Sequence, residues 1–333
     1  MTQAGRVIGG CRLEAVLGRG ADGTTWSARH QGLDVDVVVK LLDPKRVWGN
    51  PELVERFLAE GKALAKVHHP AVVRVLDAGS EGDLPYLILE RLPGPSLRSH
   101  LREEGSPDLE EAVEWAAHLA EGLEVVHAAG QVHRDLKPEN VLFDREGRPT
   151  LVDFGIALSA GQRDQATVLG TPAYMSPEAA LSRPLDGRSD LYSLGVLLFE
   201  LLCNRWPFNA PEPRLLLERQ VKSPLDTSPL AQANVPEPLI AFVEQALEKD
   251  PNHRPQTGAE FAAGLYQAAE APVRRSPKRR RRRRASSSGH HTLPRGGAAR
   301  RARRGSSGGG IFVVLLIVGA LLAGLGFLFL SQG

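Results

Sequence analysis

The chain has 333 residues, 42% of them hydrophobic and 24% charged, with a formal net charge of +2. At roughly 100 to 200 residues per domain this length points to two units rather than one. Its two cysteines, Cys11 and Cys203, lie far apart without ligand-like spacing, which excludes a disulfide framework or a cysteine zinc site and suits a reducing compartment. The net charge conceals an asymmetry. Residues 274–304 hold 14 Lys and Arg and no acid, leaving 27 basic side chains against all 39 acidic ones in residues 1–273, a net of −12. An acidic body therefore carries a basic tether, and the overall pI says little about what the body binds.

In chain order, residues 1–10 lack the apolar stretch of a signal peptide, so the body is expected not to be exported. Leu17-Gly18-Arg19-Gly20-Ala21-Asp22-Gly23 has the spacing G-x-G-x-x-G, and glycines let backbone approach a phosphate closely. Alone that pattern is weak. A dinucleotide fold would need a preceding strand, a helix opening at the motif and an acid about 20 residues on, whereas a β-rich stretch follows here. Val35 to Leu42 is apolar except for Asp36 and Lys40, which places the Lys40 cation in a buried strand. A buried ammonium needs a partner. Asn50 and Pro51 open a helix whose Leu53, Phe57, Glu60 and Leu64 share one face, so a Lys40–Glu60 ion pair is expected. Gly61 costs that helix about 1 kcal/mol relative to Ala, so it is expected to be loosely held and ordered by a partner or by phosphorylation.

Pro85 to Glu90 reads as an apolar strand running into the linker Arg91-Leu92-Pro93-Gly94, with Tyr86 as packing. Asp108 to Ala129 reads as an amphipathic helix with Leu109, Val113, Ala116, Leu119, Ala120, Leu123 and Val126 inward, and His118 and His127 as core or surface side chains. Val132-His133-Arg134-Asp135-Leu136-Lys137-Pro138-Glu139-Asn140 follows, and then Asp153-Phe154-Gly155. Between them, Val141-Leu142-Phe143 and Thr150-Leu151-Val152 read as two strands joined by a turn. That hairpin sets Asn140 beside Asp153, and an amide oxygen with a carboxylate suits Mg²⁺, which takes substrate phosphates as further ligands. The long polar loop from Asp153 to Glu178 has a length usually reserved for function.

These segments, correctly ordered and spaced, resemble the eukaryotic-like (Hanks-type) protein kinases of bacteria, over roughly residues 9–268. The resemblance implies an α+β, two-lobed kinase fold with a β-rich small lobe and a mostly helical large lobe, transferring the γ-phosphate of ATP, with Mg²⁺, to protein hydroxyls. By resemblance Asp135 accepts the substrate proton, Lys137 balances charge on the γ-phosphate, and Lys40 paired with Glu60 orients the other phosphates. Asn140 and Asp153 hold the metal. Leu17, Gly18, Gly20, Gly23, Thr25, Val38, Leu89, Glu90 and Leu92 line the nucleotide site, with Leu89 guarding the inner pocket and the Glu90 and Leu92 backbone meeting adenine. Val38 and Thr25 stand where the family usually has Ala and Val, so Val38 should narrow the adenine slot. Lys137 within Asp-Leu-Lys-Pro-Glu-Asn and the segment 170–178 resemble serine/threonine kinases. Thr167 is the phosphorylation candidate of the loop, its phosphate pairing with Arg134, with Ser159 and Thr171 as rivals. Thr171 would bond Asp135 and Lys137, Asp190 the catalytic-loop backbone, and Arg254 would meet Glu178 in a buried pair. Trp206-Pro207-Phe208 reads as lobe packing. The alternatives are a catalytically silent nucleotide-binding scaffold and a small-molecule kinase of the aminoglycoside type, which Lys137-Pro138-Glu139 and residues 170–178 disfavour.

Residues 269–310 shift to Arg, Ser, Gly and Pro, a composition that buries no core and reads as a disordered linker. Residues 311–330 then give 20 positions without a charge, about 30 Å as a helix and the thickness of a bilayer core. The basic residues before this span place the kinase on the cytoplasmic side of the cell membrane, and residues 331–333 form a short tail too small for an outer sensor. The arginine run 279–284 is expected to meet anionic lipid. Nucleic acid is disfavoured, since no aromatic side chains interleave the run. Gly319/Ala323 and Ala320/Gly324 would allow span pairing and a homodimer that phosphorylates in trans.

Overall fold

The computed structural model describes residues 4–20, 23–154 and 172–271. Thr167, Thr171, Ser159, linker residues 272–310 and the apolar run 311–330 lie outside the described residues, whereas positions 269 and 270, expected to begin the disordered linker, complete the last helix, Gly258–Glu270. Among those described, no helix is long and apolar enough to cross a membrane.

The small lobe is an antiparallel sheet built from β1 (Val7–Ile8), β2 (Cys11–Arg19), β3 (Gly23–His30), β4 (Val35–Leu42), β5 (Val75–Glu81) and β6 (Leu84–Glu90), in the order β1-β2-β3-β4-β6-β5. Alternation of side chains across the pleat explains its two faces. On one, Ile8, Cys11, Leu13, Trp26, Ala28, Val37, Val39, Leu41, Tyr86 and Ile88 form a core of their own. The other carries Lys40 and Val38, with Thr25 opposite Lys40 and Val38 opposite Leu89. Tyr86 is packing, as expected, with its hydroxyl 3.3 Å from Asp77. Cys11 is buried, Cys203 half-buried, and both are free thiols.

A short helix, α1 (Pro44–Val47), leads into α2 (Pro51–Leu64), where the Asn50 side chain accepts from the Leu53 N–H at 3.1 Å and Pro51 takes the first helical position. Leu53, Phe57, Gly61 and Leu64 are buried. Gly61 also has a packing role that its helix-propensity cost did not reveal. A Cβ there would overlap Leu87 Cδ2 and lie 3.3 Å from Ala78 Cβ, so the glycine lets α2 seat directly on β5 and β6. Its helix-propensity cost is offset by close packing.

The large lobe comprises α3 (Leu97–Glu103), α4 (Leu109–Ala128), the β7 (Val141–Phe143) and β8 (Pro149–Leu151) hairpin, α5 (Pro177–Ala180), α6 (Gly187–Cys203), α7 (Pro213–Lys222), α8 (Ser228–Gln232), α9 (Glu237–Ala246) and α10 (Gly258–Glu270). Asp108 caps α4 through the Glu111 N–H at 2.9 Å. The inward face of α4 is the expected one except for Leu109, which is exposed because it sits in the first turn, before the helix meets its neighbours. The central helix is α6, with Asp190 to Leu202 buried throughout, matching its nearly uninterrupted apolar sequence. The second hairpin strand starts at Pro149 rather than Thr150, and Val152 has left the ladder to donate its N–H to the Asn140 carbonyl at 2.9 Å.

Candidate active site

Two residues of the site hold backbone that L-amino acids rarely adopt: Arg134 has φ 66° and Asp153 φ 54°. Such positions cost about 1–3 kcal/mol each and persist only where surrounding structure over-determines them. For Arg134 the determinant is Asp190, buried in the first turn of α6. Its carboxylate accepts from the His133 N–H at 2.7 Å and the Arg134 N–H at 2.8 Å, and bonds His127 Nε2 at 2.8 Å. The His133 ring is fully buried, bonds the Val152 carbonyl at 3.0 Å and lies 4.6 Å from the Phe154 ring. Burial pushes the His133 pKa down, so the ring packs neutral. The chain from Asp190 through His133 to Val152 thus fixes Asp135 relative to Asp153.

Asp135 emerges from this frame half-exposed. Lys137 Nζ lies 2.7 Å from its Oδ2, and Asn140 Nδ2 donates to its Oδ2 at 2.9 Å and to its carbonyl at 2.8 Å. The short helical turn Pro138–Asn140 brings Asn140 back onto Asp135, so the three residues form one cluster. The hairpin brings Asn140 beside Asp153 through the backbone, while the Asn140 side chain turns to Asp135. An amide oxygen and a carboxylate are hard donors suited to Mg²⁺ with phosphate or water completing the shell, so the Asn140 and Asp153 set fits the metal that the sequence implied. Gly18 and Gly20 have nothing within 4 Å of where a Cβ would stand, leaving backbone open to a phosphate.

The charge pairing around Lys40 and Glu60 overturns one expectation. Lys40 Nζ pairs with Asp153 Oδ1 at 3.2 Å, and Glu60 Oε1 receives Arg134 at 3.3 Å. The Lys40–Glu60 pair is not made. Lys40 and Glu60 thus each take a partner from the large lobe, and Arg56 is a further cation acting on Glu60. The Lys40 ammonium holds the Asp153 carboxyl below the usual carboxylate range. Burial pushes the Glu60 carboxyl up, against the pull of Arg134.

Farther from the reacting centre, Arg254 makes two 2.8 Å bonds to Glu178, with the Arg254 side chain fully buried and Ser189 adding a 2.6 Å bond. Leu89 is buried at the end of β6, and the Glu90 carboxylate caps the Arg74 N–H at 2.8 Å. Sequence reading missed a buried polar cluster. Glu200 on α6 receives Arg98 at 2.8 Å, the Tyr174 hydroxyl and Trp206 Nε1 at 3.2 Å, while Arg98 also reaches Glu139 at 2.9 Å. Trp206 is therefore a hydrogen-bond donor as well as packing. Gln220, fully buried on α7, links the Tyr192 hydroxyl to the Ala173 carbonyl. A polar residue inside an apolar helical stretch, as at Glu200, was the available signal.

Comparison with known proteins places this geometry. The protein kinase domain family matches residues 11–264. The serine/threonine-protein kinase PkaA of Streptomyces coelicolor is 38% identical over 275 residues, covering 78% of this chain and 50% of that protein. The serine/threonine-protein kinase PknB of Mycolicibacterium smegmatis is 34% identical over 275 residues, covering 80% of this chain and 44% of its own. The chain thus spans about half the length of these relatives. Among solved structures, the Mycobacterium tuberculosis PknI kinase domain superposes with TM-score 0.64 at 24% identity, over 80% of this chain and 99% of that one, a likeness of fold. By its matched span, its fold and the order of its site residues, the chain belongs to the protein kinase family.

Proposed function

We propose that the chain is a serine/threonine protein kinase that transfers the γ-phosphate of ATP to protein hydroxyls. The observation carrying this reading is the Asp135–Lys137–Asn140 cluster, held on a strained loop by Asp190 and facing Asp153. Asp135 takes the proton of the acceptor hydroxyl as its oxygen bonds to the γ-phosphorus and the bond to the β–γ bridging oxygen breaks. Lys137 leaves Asp135 to offset charge on the phosphoryl oxygens. Asn140 and Asp153 would hold Mg²⁺, which neutralises phosphate charge when bound. Lys40 and the backbone at Gly18, Gly20 and Gly23 hold the nucleotide phosphates, and Val38 and Leu89, paired across β4 and β6, bound the adenine slot.

The crossed pairing, Lys40 with Asp153 and Glu60 with Arg134, is read as a resting arrangement. A phosphate on Thr167 would claim Arg134 and release Glu60 to Lys40. The names of the curated relatives support serine and threonine as acceptors. Residues 311–330 would anchor the protein as a single cytoplasmic-facing span in the cell membrane, with 269–310 as a linker attracted to anionic lipid. The test is transfer of labelled phosphate from ATP to generic protein acceptors by the parent and by Asp135→Asn. Equal labelling by the two would overturn the reading. Phosphate absent from Thr167 in an active preparation would end the loop proposal alone.

A further inference from the structure

A guanidinium site filled from within the chain lies beside the catalytic loop. Arg98, on α3, donates from Nε to Glu139 at 2.9 Å, from one terminal nitrogen to Glu200 at 2.8 Å and from the other to the Tyr174 hydroxyl. The backbone fixes where it stands. The Gly94 N–H bonds the Phe143 carbonyl at 3.1 Å and the Phe143 N–H bonds the Pro95 carbonyl at 3.1 Å, which staples the entry to α3 onto the strand that follows Asn140. Glu139 sits in the turn between Lys137 and Asn140 with its side chain 47% exposed, whereas that of Glu200 is 5% exposed. Tyr174 also lines the small cavity that Asp135 and Lys137 share with Pro172 and Met175. An acceptor that brings a hydroxyl to Asp135 extends over the residues bordering it, and Glu139 and Tyr174 are among them.

Two carboxylates and a hydroxyl converging on one planar cation match the fixed fork of N–H donors that a guanidinium presents. Without Arg98 the same groups would face the acceptor with no cation between them, and an arginine of the peptide would be the group that fits. We propose that Arg98 is a specificity-determining residue, which fills this site from within and so releases the acceptor from any need for a basic side chain. The proposal rests on the kinase reading above. Competition favours the internal group, because a side chain held on its own helix acts at millimolar effective concentration while a peptide arginine must arrive from solution. The Arg98 charge also opposes a second cation placed beside it. Glu139, half in water, then offers a peptide cation only a screened ion pair of small worth.

The test uses serine peptides in which a single arginine is walked, one position at a time, along either side of the acceptor, each compared with the peptide carrying alanine there. The readout is the ratio of kcat/KM for the arginine and alanine peptides with labelled ATP and the full chain in mild detergent. A merely structural role for Arg98 lowers both rates and cancels in that ratio. The parent should stay within about fivefold at every position. Arg98→Met, which keeps the stem and removes the cation, should favour arginine by roughly 10- to 100-fold at one position. Because Glu200 is buried, that variant can lose stability, so Arg98→Met with Glu200→Gln is measured beside it. This pair leaves no buried carboxylate unpaired and keeps Glu139, and it should show a smaller rise at the same position. A parent that already prefers arginine by more than about tenfold, a flat profile in the double variant, or a rise spread evenly over all positions would overturn the proposal, the last because it reports net charge alone. Failure of the parent to label any peptide would overturn the kinase reading and this one with it.

Discussion

The two halves of the site are built differently. In the large lobe each functional side chain is fixed by a buried residue behind it: Asp190 sets the catalytic loop, His133 ties it to Val152, and Arg254 with Glu178 braces the segment beyond. In the small lobe Lys40 and Glu60 are held only by what they pair with, and their partners, Asp153 and Arg134, both belong to the large lobe. On the reading proposed above, the large-lobe half would stay assembled while regulation acts on the ion pairs of Lys40 and Glu60.

The sharpest way to break this contrast is Asp135→Asn. Loss of the general base should lower turnover by about 10²–10⁴-fold with the unfolding midpoint unchanged, as measured by labelled phosphate transfer. Next, Arg254→Met should leave the Glu178 carboxylate buried without its cation and destabilise the large lobe by about 3–5 kcal/mol, read from urea unfolding. Gly61→Ala should destabilise by about 1–3 kcal/mol despite its better helix propensity, because the added methyl overpacks Leu87; a gain in stability would restore the view of α2 as loosely held. Glu60→Gln should lower kcat/KM by roughly tenfold, or about 1.4 kcal/mol, while binding of nucleotide changes little.

The smallest expected effect concerns pH. His69 and His118 lie with ring centroids 5.8 Å apart where the chain after α2 meets α4, and the His118 Nε2 is buried without a partner. Burial pushes both pKa values below the ordinary 6.5, with Glu121 opposing in each case, and at His118 the neighbouring His69 and Arg148 lower it further. A histidine whose folded pKa is depressed contributes stability that is present above the unfolded pKa and declines as pH falls through 6.5 toward the folded value. The unfolding midpoint should therefore be level above neutrality and fall as the pH drops below 6.5, with a shallower fall in His118→Gln.

Much of this was legible in residue order. The apolar run of β4, the Asn50-Pro51 helix start, the inward stripe of α4 and the spacing from His133 to Asp153 are local patterns, and local patterns follow from backbone period and capping chemistry. The meeting of Glu178 with Arg254 was also expected, since it came with the family resemblance and two buried opposite charges require one another. What escaped was combinatorial. Arg98, Glu139, Tyr174, Glu200 and Trp206 come from five separate segments, and no spacing rule brings them together.

By itself the sequence determined the start of α2, the face of α4, the hairpin and the expectation that Lys40 and Glu60 would turn inward and need partners. Only the tertiary structure decided which partners. Lys40 meets Asp153 and Glu60 meets Arg134, and that outcome depends on the left-handed backbone at Arg134 and Asp153 and on where α2 rests against the sheet. Those are long-range packing outcomes, which no local period encodes.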